Sequence, residues 1–241
     1  MSQKKKFETT KKLIVSLSAK LRTFENQFTD LSLFIEELDN INFLLTHQEV
    51  KTKKLSKNVS SILKSKFLNL GSHQIEGLKI GSIANFNWMN IYEGANSKQA
   101  FIHGMFASRL LGLDGYYASN RISVGLMLIL PGVLYPLHTH LVKEFYYCLS
   151  GKLSIQHDIY GDKLSLSEGE ISITPEGKLH SLEVIGKEPV LLLYSWLGNL
   201  NAPIRIWEKT KSGLWEGCMW RRLPGQKWKI SDVEILSDRS Y

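Results

Sequence analysis

The chain has 241 residues, 43% hydrophobic and 22% charged, with a formal net charge of +7, which is room for one large domain of ordinary globular composition. No apolar run approaches the roughly 20 residues that span a bilayer. Leu13 to Val15 is too short for a signal-peptide core, and two cysteines, Cys148 and Cys218, make no disulfide framework. A reducing cytoplasm with free thiols is therefore expected. The excess charge sits in lysine runs near residues 4–6, 11–12 and 51–57. They are not interleaved with aromatics, so they read as solvated surface, with no nucleic-acid or membrane partner expected.

In chain order, residues 8–47 read as helical. Leu17, Leu21, Phe24, Phe28, Leu31, Ile35 and Leu38 recur at spacings of four and three, one apolar stripe along a helix or a broken pair. The stripe must pack on something: the rest of the chain, with a partner helix in a homodimer as the other candidate. A second helix is expected over Val59, Ile62, Leu63, Phe67 and Leu70, ended by Gly71. "NFNWMNIYEG" reads as a short strand or loop, and "KQAFIHGMFASRLLG" as a helix ending near Gly112. From about residue 121 short β-type runs take over, separated by Gly, Pro or charged turns: "RISVGLMLIL", "EFYYCLSG", "KLSIQHDI", "KLSLSEG", "EISITPEG", "HSLEVIG" and "PVLLLYSWLG". Such runs argue for a sandwich or barrel. The division expected is a helical region over 1–72 packing on a mainly β domain over 73–241. The tail from 207 onward carries no clear pattern.

The chemistry concentrates in "PGVLYPLHTHLVKEFYYCLSG", residues 131–151. Residues i and i+2 of a strand share a face, so His138 and His140 point one way. Glu144, Tyr146 and Cys148 share a face of the next strand, after a connection read as three residues long. Two imidazoles and a carboxylate can then converge on a divalent first-row metal, and His180 is the candidate fourth ligand. His47, His73, His103 and His157 have no comparable setting and read as structural. Cys148 reads as an inert buried thiol.

The spacing says more than the residue types. Gly132, His138, His140, Glu144 and Gly151 form one glycine-bounded motif, and Gly169, Pro175, Gly177 and His180 a second. The pair resembles the two motifs of the cupin superfamily, with every ligand position filled; Val184 stands where an asparagine is usual. The resemblance implies a jelly-roll-like barrel holding one divalent metal, with Zn, Fe(II), Mn, Co and Ni all compatible.

The tyrosines narrow the reading. The series Tyr135, Pro136, His138, His140, Glu144, Tyr146, then "LSG", resembles the cupin-type bacterial dimethylsulfoniopropionate lyases, and "HSLEVIGKEPVLLLYSWLGNL" is similar to the same family. The likeness covers about residues 120–200. It implies cleavage of a small zwitterion, dimethylsulfoniopropionate, to dimethyl sulfide and acrylate by base-initiated β-elimination. Tyr146 is the first choice of base, since it shares the Glu144 face. Tyr135 is the second choice, or orients the substrate; strand parity turns it away from the metal unless the chain bends. A base working near pH 8 needs its pKa about 2 units below the free value of about 10, roughly 2.7 kcal/mol. Trp196 and Tyr194, with Trp88, Tyr92 and Tyr117, are candidate aromatics for the sulfonium. The alternatives are another metal-dependent cupin enzyme, such as an Fe(II) dioxygenase or a sugar isomerase, and a non-enzymatic cupin that binds a small ligand.

Overall fold

The computed structural model describes residues 1–44, 55–67, 75, 78, 83–96, 99–223 and 226–236. The expected ligand-free histidines His47 and His73, and the helix end at Leu70 and Gly71, lie outside them. Three helices come first: α1 Gln3–Arg22, α2 Leu31–Asp39 and α3 Lys57–Ser65. Thirteen strands follow among the described residues: β1 Trp88–Asn90, β2 Met105–Leu111, β3 Ile122–Ile129, β4 Leu134–His140, β5 Val142–Ser150, β6 Lys152–His157, β7 Lys163–Ser167, β8 Ile171–Thr174, β9 His180–Val184, β10 Val190–Gly198, β11 Ile204–Lys209, β12 Trp215–Arg221 and β13 Lys229–Leu236. They form a six-stranded sheet, β1-β2-β3-β10-β5-β8, and a seven-stranded sheet, β13-β12-β11-β4-β9-β6-β7. This is the mainly β, two-sheet cupin architecture that the short strand runs foreshadow.

The helices form because their ends are satisfied and one face is apolar. Ser2 Oγ accepts from the Lys5 amide at the start of α1, and Lys20 and Arg22 sit in its last turn, where cations favour the helix dipole. Ser56 caps α3 in the same way. The stripe breaks after Arg22, and Phe24 and Phe28 pack from the intervening turns. Leu13, Ile14, Leu17, Leu21, Leu31, Phe34, Ile35 and Leu38 are buried in one cluster with Phe145, Tyr147, Leu149, Leu191 and Leu193 of β5 and β10. Phe34 meets Phe145 edge-on at 5.0 Å between ring centroids. Ion pairs from Lys143 to Asp30 and from Arg121 to Glu37 flank this contact.

A strand under helices is buried on both faces and loses its polar alternation. "EFYYCL" shows this: Phe145, Tyr147 and Leu149 face the helices, while Tyr146 and Cys148 belong to the cluster inside the barrel. The same parity sends Leu192, Tyr194 and Trp196 of β10 inward and Leu191 and Leu193 to the helices.

Two local expectations change. "KQAFIHGMFASRLLG" is a short 3-10 turn, Ala100–His103, followed by β2 rather than a helix. Gly104 ends the turn, where a Cβ would lie 2.3 Å from Val133 Cγ2, and pairing of β2 with β3 overrides the helical propensity of the rest. The link between the histidines and Glu144 is one residue, Leu141, not three; Val142 and Lys143 already belong to β5. The unpatterned tail supplies β11, β12 and the edge strand β13.

Candidate metal centre and its surroundings

The two sheets divide the site. β4 and β9 of the seven-stranded sheet carry His138, His140 and His180, and β5 of the six-stranded sheet carries Glu144. His138 and His180 are cross-strand partners, their rings 3.9 Å apart. All four residues are buried, and one ligand atom from each lies within 4.8 Å of all the others.

Each histidine is oriented by its own backbone. Nδ1 of His138 lies 2.8 Å from the Pro136 carbonyl, that of His140 3.2 Å from Val142, and that of His180 3.0 Å from Lys178. A carbonyl only accepts, so each Nδ1 carries the proton and donates. Nε2 of each ring is left as an acceptor. The Nε2 atoms of His140 and His180 then face Glu144 Oε2 at 2.8 and 3.2 Å. Lone pairs brought this close are held by a proton or a cation between them. Nitrogen and carboxylate donors, Nδ1 atoms anchored on carbonyls and near-complete burial fit a divalent transition metal of the zinc or iron type.

The electrostatics agree. Burial alone would raise the Glu144 carboxyl, yet positive charge at the Nε2 positions of His140 and His180, the place a bound cation would take, outweighs it and holds the acid well below the usual carboxylate range. Burial, His180 and His140 push His138 well below its ordinary value, so this ring stays neutral and free to ligate. Trp196 Nε1 donates to Glu144 Oε1 at 2.6 Å, and its indole lies against His140 with centroids 4.7 Å apart.

Tyr146 is wholly buried, two residues beyond Glu144 on the interior face of β5. Burial, the Glu144 charge and a hydrogen bond to that carboxylate all push its hydroxyl well above its ordinary value. Tyr194 is its cross-strand partner on β10 and is hydrogen-bonded to Arg109, which pairs with Asp114. On the other side of Tyr194 stands Gly125, where a Cβ would come within 2.6 Å of the Tyr194 ring.

Tyr135 also reaches the site, against simple parity. Tyr135 pairs with Leu182 and His138 with His180, so three steps along β4 match two along β9. The extra residue is a bulge at Pro136, which has no amide proton to lose from the ladder. It brings the Tyr135 ring to 3.9 Å from the His138 ring. The Tyr135 hydroxyl hydrogen-bonds to that of Tyr92, which stacks on Trp228 at 5.0 Å. The Arg222 guanidinium lies over the Trp228 ring, 4.9 Å from its centroid.

Of the other aromatics, Trp88 and Tyr117 belong to the helix-side core, with Trp88 Nε1 donating to the Ile83 carbonyl and the Tyr117 hydroxyl to that of Phe7. They do not face the metal cluster. His157 is near it but turned to Thr174 Oγ1 at 3.1 Å, and His103 is exposed. Arg109, Trp220, Arg222 and Trp228 were missed: Arg109 in a stretch read as helix, the others in the unpatterned tail.

A two-sheet barrel whose inner face gathers three histidines and a glutamate defines a cupin, and the buried cluster fits a metal site. Within that class the chain belongs to the dimethylsulfoniopropionate lyase family, whose model matches residues 45–192. It is 26% identical over 125 residues to the dimethylsulfoniopropionate lyase DddQ of Ruegeria pomeroyi, a match covering 52% of this chain and 60% of that protein. It is 32% identical over 93 residues to a gentisate 1,2-dioxygenase of Ralstonia sp, covering 39% of this chain and 25% of that one. The crystal structure of the Ruegeria pomeroyi DddQ superposes with a TM-score of 0.57 at 19% identity, covering 77% of this chain and 95% of that one. A structure from a study of the lyases RdDddP and RnDddQII gives 0.56 at 18%, covering 80% and 97%. These last two likenesses are of fold. No helix among the described residues is long and apolar enough to cross a membrane.

Proposed function

We propose that the chain is a carbon–sulfur lyase that cleaves dimethylsulfoniopropionate to dimethyl sulfide and acrylate. The observation that carries this reading is a buried tyrosine, Tyr146, beside the ligand Glu144, in a chain of the dimethylsulfoniopropionate lyase family. His138, His140, Glu144 and His180 would hold one divalent metal, with Zn, Fe(II), Mn, Co and Ni all suited to the donor set. Such a cation supplies Lewis acidity for a carboxylate and a positive field that favours tyrosinate over tyrosine.

The elimination is base-initiated. Tyr146 Oη takes the proton from the carbon next to the carboxylate, that electron pair becomes the Cα–Cβ double bond, and the Cβ–S bond breaks. Dimethyl sulfide leaves with the sulfur electrons, and acrylate remains. Tyr135, fixed by its bond to Tyr92, orients the substrate beside His138. Tyr194 and Trp196 offer aromatic faces to the sulfonium, an attraction of up to about 2 kcal/mol once desolvated. The buried Tyr146 and Tyr135 beside them keep water from the reacting atoms. Two free thiols accord with a reducing cytoplasm.

The test is headspace dimethyl sulfide from metal-replete protein given dimethylsulfoniopropionate, with dissolved oxygen followed at the same time. Dimethyl sulfide with no oxygen uptake supports the lyase. Oxygen uptake on an aromatic diol such as gentisate would favour the dioxygenase reading, which the partial likeness to a gentisate dioxygenase keeps in view.

A further inference from the structure

Glu144 differs from the three histidines in what holds it. Each histidine is pinned by a carbonyl two residues away in its own segment. Glu144 sits mid-strand, and its backbone is engaged in the ladder with β10 and β8. A carboxylate on three rotatable side-chain bonds needs an outside donor to fix which oxygen faces the metal. Trp196, its register partner on β10, supplies one. Its Nε1 donates to Oε1 at 2.6 Å, short as charge-assisted bonds are, while Oε2 faces His140 and His180. The same indole lies 4.7 Å from the His140 ring. One side chain therefore restrains two ligands on different sheets.

We propose that Trp196 is a positioning residue for the metal: its N–H commits Glu144 to one-oxygen ligation through Oε2, and its ring holds His140 against rotation. The inference rests on the metal-site reading but not on the identity of the substrate. It also gives Trp196 a different first duty from that of a sulfonium-binding face. Partners of metal ligands typically contribute about 10–100-fold in affinity.

The test is metal affinity, measured by chelator competition on full-length protein with Zn(II) and Co(II), for wild type, Trp196→Phe and Trp196→Leu. The metal-free melting temperature of each variant is recorded to show that it folds. Trp196→Phe keeps a ring against His140 and loses the N–H; Trp196→Leu loses both. Affinity should fall at least about 10-fold in the first and further in the second, and the Co(II) d–d spectrum should shift in both as the carboxylate becomes free to rotate. Excess metal should restore the metal content of Trp196→Phe to that of wild type. Unaltered affinity and spectrum in a folded Trp196→Phe, with a raised KM instead, would overturn the proposal in favour of a substrate-side role. A loss seen only in Trp196→Leu would overturn the hydrogen-bond half of it. Wild-type protein that binds neither ion would remove the metal-site reading itself, a result distinct from both.

Discussion

The two sheets of this barrel do different work although they are built from similar strands. The six-stranded sheet is sealed on both faces, by helices outside and by the barrel core inside. The seven-stranded sheet leaves much of its outer face in water: Leu164, Val233 and Ile235 are 58%, 68% and 57% exposed. The sealed sheet carries Glu144, Tyr146, Tyr194 and Trp196; the open one carries the three histidines. Tyr146, proposed to take the proton, thus sits on the sheet whose strands have least room to shift. The histidines tolerate an open sheet because each is oriented by a carbonyl two residues away. Positional accuracy comes from global packing in one case and from local hydrogen bonding in the other.

The largest effect should come from removing a ligand on the open sheet. His180→Ala deletes a donor that faces both Glu144 and His138. Bound metal, by elemental analysis, should fall from about one per chain to near zero and dimethyl sulfide release should become undetectable. Full metal content in the variant would show that the cluster is not the site. Next comes the sealed sheet. Tyr146→Phe removes one oxygen and keeps the ring, so metal content should hold while kcat falls at least about 100-fold. Tyr135→Phe should cost less, with a larger share in KM. If Tyr135→Phe alone abolishes turnover, the roles of the two tyrosines are exchanged.

Stability should separate the sheets as well. Phe34→Ala empties a buried position against Phe145 and should cost about 3–5 kcal/mol in denaturant unfolding. Val233→Ala on the open edge strand should change stability by no more than about 0.5 kcal/mol. Equal losses would mean that the helical layer does not seal the first sheet as described.

The legible parts of this site are those written locally. His138, His140 and Glu144 fall within seven consecutive residues, and strand parity plus glycine-bounded spacing are enough to bring them to one point. His180 was legible only through the second motif. The inward turn of Tyr135 depended on a bulge, which Pro136 hints at but does not determine. Arg109 was hidden because "MFASRLL" has no clean alternation: its strand is buried on both faces, and pairing with β3 decides its conformation. The tail was unreadable for the opposite reason. β13 is exposed throughout its described side chains, so it owes its place to ladder hydrogen bonds with β12 rather than to an apolar face. Trp220 and Trp228 approach Tyr92 through that pairing, a contact 128 and 136 residues away in the chain that no local pattern announces.

The smallest effect concerns alkali and the helix-side core. Tyr116 and Tyr147 both lie in the helix-side core. Burial pushes the Tyr116 hydroxyl up to about 12, with the Asn87 amide that donates to its oxygen offsetting only part of this. Burial likewise pushes Tyr147 up to about 12. An unfolded tyrosine ionises near 10. Below that pH both states keep the proton and the tyrosines favour neither. As pH rises from about 10 toward 12 the unfolded chain loses protons that the folded one retains, so stability falls through that window. Denaturant midpoints should therefore be level from pH 8 to about 9.5 and decline above 10. Tyr116→Phe removes one of the groups and should flatten the decline while lowering the neutral-pH midpoint slightly, since the Asn87 amide loses its acceptor. A midpoint that rises with alkali, or a slope that Tyr116→Phe leaves unchanged, would show that the helix-side core admits water around this ring.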